Sequence, residues 1–419
     1  MKIKTTVETF KSFLFFWAGQ LISLLGSSVA QFVIIWWITV ETGSALYLSL
    51  AALVGFAPIV LLGPFTGVLV DRWSRRKLIG AVDFLQAITT TGLIFLFQFP
   101  HVSIWNVMAL LALRGVFQAF HGPAVSAVMP LMVPEDKLSR LNGVNFLLTG
   151  IVNLVGPVIA ALLLELWTIS QILWVDAATF LVAVIPLFII RIPSVVAKEK
   201  TVRNRSSFTA EFKEGLSFIK NGRGFLTFIM LATALNFLLT PTNLLPYFVQ
   251  FEHSGGVSDL ALVAASFQGG MLAGGILMSV IAGFKKKMLA IMVSIYIIFA
   301  GYALVALTPQ GQFWFMAIGG IIMAFCIPVA NVSIQTITQT VVPKNMFGRV
   351  SSVTGALASA ASPIGMIISG IIAEYIGTAI LFLGCVVLGV LISTLSWFFT
   401  DFKYMEKMGE KPAFNDNQK

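Results

Sequence analysis

Twelve apolar runs, each near the ~20 residues that a helix needs to cross a hydrocarbon layer, succeed one another along this chain with short polar breaks. They cover residues 13–38, 46–70, 78–98, 103–123, 141–164, 169–190, 225–249, 260–283, 288–307, 313–334, 350–373 and 378–400. Lipid offers no hydrogen bonds to the backbone, so runs of this kind must satisfy their own N–H and C=O groups, as helices do. A water-soluble alternative fails on composition: 58% of the 419 residues are apolar and 11% charged, too few charges to coat a globule of that size. The net charge of +9 is not a nucleic-acid footprint, because no basic face is clustered on a soluble module. The expected fold is an all-α membrane protein surrounded by lipid.

Basic residues alternate with the breaks. With both termini placed on the cytoplasmic side, 26 of the 27 lysines and arginines fall in inner loops and tails, and the remaining one, Arg114, lies inside the fourth run. The outer loops carry only acids: Glu41, Glu165, Glu252, Asp259 and Glu374. Tryptophans fit the same scheme, with Trp36, Trp37, Trp105, Trp167, Trp174 and Trp314 at outer ends and Trp73 and Trp397 at inner ones. The N-terminal lysines followed by an apolar stretch resemble a signal peptide, but no small-residue cleavage site interrupts the run from Phe13, which reads as an uncleaved first helix. These features place the protein in the cell inner (plasma) membrane as a multi-pass chain.

The longest hydrophilic stretch splits the runs into two sets of six. The expected organisation is a six-helix bundle over 1–190, a cytoplasmic linker over 191–224, a second six-helix bundle over 225–400 and a tail over 401–419. Within the linker, Phe208, Phe212, Leu216 and Ile219 recur at helical spacing opposite Glu211, Lys213, Glu214 and Lys220, which predicts a short amphipathic helix. The halves are related by a repeat: Ala119 begins AFHGPA and Val133 begins VPEDKLSRLNG, while Ala324 begins AFCIPVA and Val342 begins VPKNMFGRVSS. A duplicated, pseudo-symmetric six-helix unit suits transport by rocking of two bundles.

Two segments carry motif-like chemistry. After the second run come Gly67, Asp71, Arg72, Arg75, Arg76 and Lys77, a glycine followed by Asp-Arg and a basic cluster. Gly63 and Gly67 would permit close helix approach. Asp71 would offer its carboxylate to a helix N-terminus or an arginine, as a gate lock. In the fifth run Gly150, the Gly156-Pro157 pair and Ala160-Ala161 would let that helix bend and pack on a neighbour from the other half.

The loop segment resembles the signature of the major facilitator superfamily, departing from it at Ser74, where a glycine is usual. The glycine-proline pair resembles that family's exporter-associated motif. Across nearly the full length the chain is similar to the macrolide-efflux branch. The similarity rests on Trp17-Ala18-Gly19-Gln20, Thr42-Gly43-Ser44-Ala45, Gly63-Pro64 and the segment from Gly269 to Gly275, and continues through Gly348-Arg349-Val350 and Ser362-Pro363-Ile364-Gly365. The resemblance implies a major facilitator fold and an export role; siderophore exporters resemble the same branch.

Polar stripes mark candidate cavity faces. Gln20, Ser23, Ser27 and Gln31 share a face of the first helix, and Asn142, Asn145, Thr149 and Asn153 share one of the fifth. Thr233, Asn236, Thr240 and Asn243 do so on the seventh, and Asn331, Gln335 and Gln339 on the tenth. Lipid disfavours amides, so each stripe should meet a helix or a water-filled cavity.

Three charges lie within spans: Asp83, Arg114 and Asp176, each costing roughly 2.5–3.5 kcal/mol to insert at a helix centre, so each needs a partner or a function. Counting from Lys77 and from His121 puts Asp83 and Arg114 at a common depth of about 10 Å, where they should pair. Asp176, seven residues from the outer end of its run, is placed too far in depth for Arg114. Arg114 also occupies the place where antiporters resembling this chain carry a functional arginine, with Gln118 four residues on, a spacing that departs from theirs. Asp83, Asp176 and Glu41 are the carboxylates available to carry a proton.

No phosphate-binding Gly-rich loop is present, so ATP is not an expected energy source. His101, His121 and His253 are placed at helix ends or loops, without the clustered partners that an enzyme or a metal site would need. Cys326 and Cys385 sit in apolar runs as packing residues. The expectation is a monomeric secondary transporter without cofactor, exporting a small amphipathic, macrolide-like substrate against protons, with a siderophore or other metabolite as the alternative cargo.

Overall fold

The computed structural model describes residues 7–190, 192, 208–222, 224–281, 284–343 and 346–404. Each of the twelve runs is helical. In chain order they are α1 (Val7–Thr42), α2 (Ala45–Arg72), α3 (Arg75–Leu96), α4 (Ile104–Ser126), α5 (Glu135–Leu166) and α6 (Ile169–Ile189). Next come α7 (Phe225–Leu239), α8 (Val257–Val280), α9 (Lys287–Ala306), α10 (Phe313–Val341), α11 (Phe347–Ile376) and α12 (Thr378–Phe399). Eleven of the twelve spans have the length and apolarity of a membrane crossing, the seventh counted through to Glu252. The exception is α4, the helix that carries Asn106, Arg114, Gln118 and His121.

Local chemistry sets the helix ends. The Ser44 side chain accepts from the Tyr47 N–H at the start of α2, and Thr168 with Gln171 forms a reciprocal capping box at the start of α6. At the other end of α6, Arg76 donates through Nε to the Leu187 carbonyl at 2.6 Å and through Nη2 to the Phe188 carbonyl at 3.0 Å. Those carbonyls have no partner within their own helix, so a cation there is favoured twice, by hydrogen bonding and by the helix dipole. Gly377 turns the chain between α11 and α12 at a φ of 84°, which side-chain-bearing residues rarely adopt.

The chain divides into two compact units: Met1–Lys200 with Leu245–Ala265, and Thr201–Leu244 with Ser266–Lys419. Where it passes from one to the other, α7 gives way to a 3-10 turn over Thr240–Leu244, then to a π turn over Phe248–Glu252. Pro241 and Pro246, which lack an N–H, lie in this irregular segment.

In the first unit α1 lies against α2, α5 and α6, and Gly19 leaves room for the Ala183 backbone of α6: an added Cβ would come within 3.3 Å of its Cα. Leu245–Ala265 joins this unit through Ser258, whose hydroxyl donates to Glu165 at 3.1 Å. In the second unit the linker helix Phe208–Asn221 seats Ile219 fully inside, stacks Phe218 edge-on against Phe225, and ties Glu214 to Arg349 at 2.5 Å. Its Phe208, Glu211 and Phe212 side chains lie outside the described residues, as do 193–207 of the linker and 405–419 of the tail.

Candidate functional site

Helices α3 and α4 run antiparallel, and polar residues meet across them at three levels. Asp83 faces His121, Gln86 faces Gln118, and Thr90 faces Arg114. Residues on α3 at 83, 86 and 90 and on α4 at 121, 118 and 114 recur on one face of each helix, so the rungs stack about 5 Å apart. Along its own length α1 supplies Gln20 at the first level and Ser27 at the third.

The third rung is closed by α6. Arg114 Nη1 lies 2.7 Å from Asp176 Oδ2 and donates to the Thr90 hydroxyl at 2.5 Å. The Thr90 hydroxyl in turn donates to Asp176 Oδ2 at 2.8 Å, and Ser27 donates to Oδ1 at 2.9 Å. Asp176 is fully buried and the Arg114 side chain 12% exposed. Three donors on one carboxylate, one of them charged, make a well-satisfied buried ion pair.

This corrects two sequence expectations. Arg114 pairs with Asp176 and not with Asp83, because it stands ten residues into α4 and Asp176 seven into α6, a depth difference of only about 4–5 Å that an arginine side chain spans. His121 is neither at a helix end nor alone, because α4 continues past it to Ser126.

The first rung is built differently. His121 Nε2 lies 2.9 Å from Asp83 Oδ1, yet neither atom completes a hydrogen bond. Gln20 Nε2 donates to Asp83 Oδ2 at a long 3.4 Å, while Gln20 Oε1 is buried without a partner. Asp83 is fully buried and the His121 side chain 19% exposed. The middle rung, Gln86 Nε2 to Gln118 Oε1 at 3.4 Å, is loose as well, with Gln86 buried and Gln118 exposed.

The other sequence candidates fall in several environments. Asn145 accepts from Trp17 Nε1 at 2.7 Å and so joins α5 to α1. Ser23 is buried; Thr149 and Asn153 are half-buried. Gln31, Asn142, Asn236, Asn243, Asn331 and Gln335 are exposed, and Asn236 also donates to the Ala232 carbonyl of its own helix. Thr240 is buried beside Gly365 of α11, where an added Cβ would come within 3.0 Å of it. Glu41 is exposed at the end of α1.

The loop segment yields less. Gly67 and the side chains of Asp71 and Arg72 lie outside the described residues. Arg75 and Arg76 are half-buried, and Arg76 is the α6 cap described above. Among the described residues nothing approaches Gly63, which is exposed: an added Cβ there would meet none of them within 4 Å. Gly156 and Pro157 are buried, and Gly156 faces Ser28 of α1, a helix of its own half. Ser28 sits on the α1 face that α5 covers, so the small residue is needed there.

A bundle of spanning helices with charges buried midway along them is the architecture of a polytopic membrane transporter. The chain belongs to the Major Facilitator Superfamily, whose sequence profile matches residues 16–362 and 243–415. It is 33% identical over 362 residues to macrolide efflux protein A of Streptococcus pyogenes, covering 86% of this chain and 89% of that protein. It is 24% identical over 395 residues to the multidrug efflux pump Tap of Mycolicibacterium fortuitum, covering 92% and 95%. The crystal structure of the nucleoside transporter NupG superposes with a TM-score of 0.66 at 17% identity, covering 90% of this chain and 98% of that one, a likeness of fold alone.

Proposed function

We propose that this protein exports bulky amphipathic compounds of the macrolide class across the plasma membrane, by proton antiport with alternating access, as a monomer with both termini in the cytoplasm. The single observation that carries the reading is the likeness to macrolide efflux protein A over most of both chains. The buried charges support the energetics. Carboxylates kept inside a membrane bundle at a cost of several kcal/mol fit a proton-coupled cycle better than a passive scaffold. Exposed amides on α5, α7 and α10 are poorly suited to lipid, which supports a polar face in each unit.

Arg114 weighs against an anionic cargo such as a catechol siderophore. It is the sole basic residue inside a span, and it is committed to Asp176 and Thr90. The experiment is expression in an efflux-deficient host followed by a resistance panel. Raised tolerance to macrolides, abolished by collapsing the pH gradient, is the expected result; siderophore secretion without drug tolerance would favour the alternative. For the gate, Asp71→Asn should impair export in a normally inserted protein, and unimpaired export would remove Asp71 from that role.

A further inference from the structure

The two carboxylates buried in the first unit differ in how they are held. Asp176 has three donors, whereas Asp83 has one long hydrogen bond from Gln20 and an ion-pair contact to His121, although both carboxylates are sealed from solvent. Asp83 Oδ1 and His121 Nε2 stand 2.9 Å apart without a completed hydrogen bond, and Gln20 Oε1 beside them is buried without one, so this carboxylate is held by fewer bonds than Asp176.

We propose that the Asp83–His121 contact is the proton-exchange site of this transporter, with His121 the group that takes up and gives off the proton. The proposal rests on the antiport reading and deepens it. Imidazole is the side chain best suited to exchange a proton in the physiological range. His121 is also the less buried member of the pair, its side chain 19% exposed while Asp83 is fully buried.

One proton from water binds the imidazole and converts carboxylate plus neutral imidazole into carboxylate plus imidazolium. The same proton leaves to water on the opposite side when the pair is next exposed, and substrate moves the other way. No bond other than N–H is made or broken. Protonation draws the imidazolium onto Asp83 Oδ1 and closes the rung; deprotonation loosens it and frees Gln20.

Among the described residues, the titratable and charged groups on the elements packed against the pair are few. On α4 Arg114 stands two turns away and is neutralised by Asp176 of α6; on α3 Arg76 and Lys77 lie toward the basic end, with Arg76 bound to α6 carbonyls. On α1 Gln20 is the direct neighbour, with Glu8 and Lys11 near that helix's start. Gln86 and Gln118 separate the pair from the third rung.

The test uses full-length protein in proteoliposomes with erythromycin as the probe. An imposed pH gradient drives accumulation in the parental protein, and counterflow of labelled erythromycin reports movement without a gradient. His121→Asn is expected to lower gradient-driven accumulation at least tenfold while counterflow persists, and to flatten the pH profile of counterflow. Asp83→Asn, nearly identical in shape, is the second variant and is expected to act alike. Erythromycin added to parental protein in weak buffer should displace protons, and His121→Asn should abolish that release. Accumulation within twofold of parental in both variants, with an unchanged pH profile, overturns the proposal. A parental protein that carries out counterflow but ignores the pH gradient overturns the antiport reading instead, and the proposal falls with it.

Discussion

The third and fourth helices of each half meet in opposite ways. Between α3 and α4 the contact is polar at three levels, two of them loose. Between α9 and α10 it is backbone on backbone: a Cβ added at Gly301 would sit 2.5 Å from Met323 N and 2.7 Å from Gly319 O, and one at Gly319 2.8 Å from Gly301 O. Apart from Lys287 at its first residue, neither α9 nor α10 contains a charged residue. Side chains joined by long hydrogen bonds can rearrange when a proton arrives, whereas packed backbones cannot move apart without opening voids. Between these two helices the first half buries charged and amide side chains, and the second packs backbone on backbone.

Removing one partner of the satisfied ion pair should do the most damage. Asp176→Leu leaves Arg114 buried and unpaired, and thermal unfolding in detergent should show a loss of about 3–5 kcal/mol. The double variant Arg114→Met with Asp176→Leu should recover most of it. If Asp176→Leu alone is neutral, the third rung is not the structural member of the ladder.

Next in size, Gly301→Ala should cost about 1–3 kcal/mol by forcing α9 off α10, measured in the same way. A neutral result would mean that the α9–α10 contact is as pliable as the α3–α4 one, and would break the contrast. Thr90→Val removes a hydroxyl that both accepts from Arg114 and donates to Asp176, yet leaves their direct contact. A loss of about 1 kcal/mol is expected. The smallest effect belongs to Gly63→Ala, whose added methyl meets nothing among the described residues. A change within about 0.5 kcal/mol is expected, and a larger one would restore the close approach that the loop segment suggested.

Some of the ladder was legible as pattern. Gln20 with Ser27 on the first helix stands out as a stripe, and the same seven-residue spacing separates Asp83 from Thr90 and Arg114 from His121. Comparing those spacings would have brought His121, Gln86 and Thr90 forward. Placing the end of the fourth helix at His121 hides them and sets Arg114 against Asp83 instead.

Depth from an assumed end is only as good as the end. α3 begins at Arg75, not at residue 78, and α4 runs to Ser126, not to 123. Glycine packing was harder still to anticipate, because Gly63 and Gly301 look alike in sequence and only their neighbours distinguish them.

The sequence by itself determined that this is a membrane protein of twelve helices, and which residues are too polar to face lipid. Both are properties of single segments, set by the free energy of moving each side chain and peptide group out of water. Tertiary structure alone decided that Asp176 takes Arg114, that Asp83 takes His121, and that Gly156 meets Ser28. Such pairings depend on the rotation and register of neighbouring helices, which are fixed by packing summed over many residues distant in the chain.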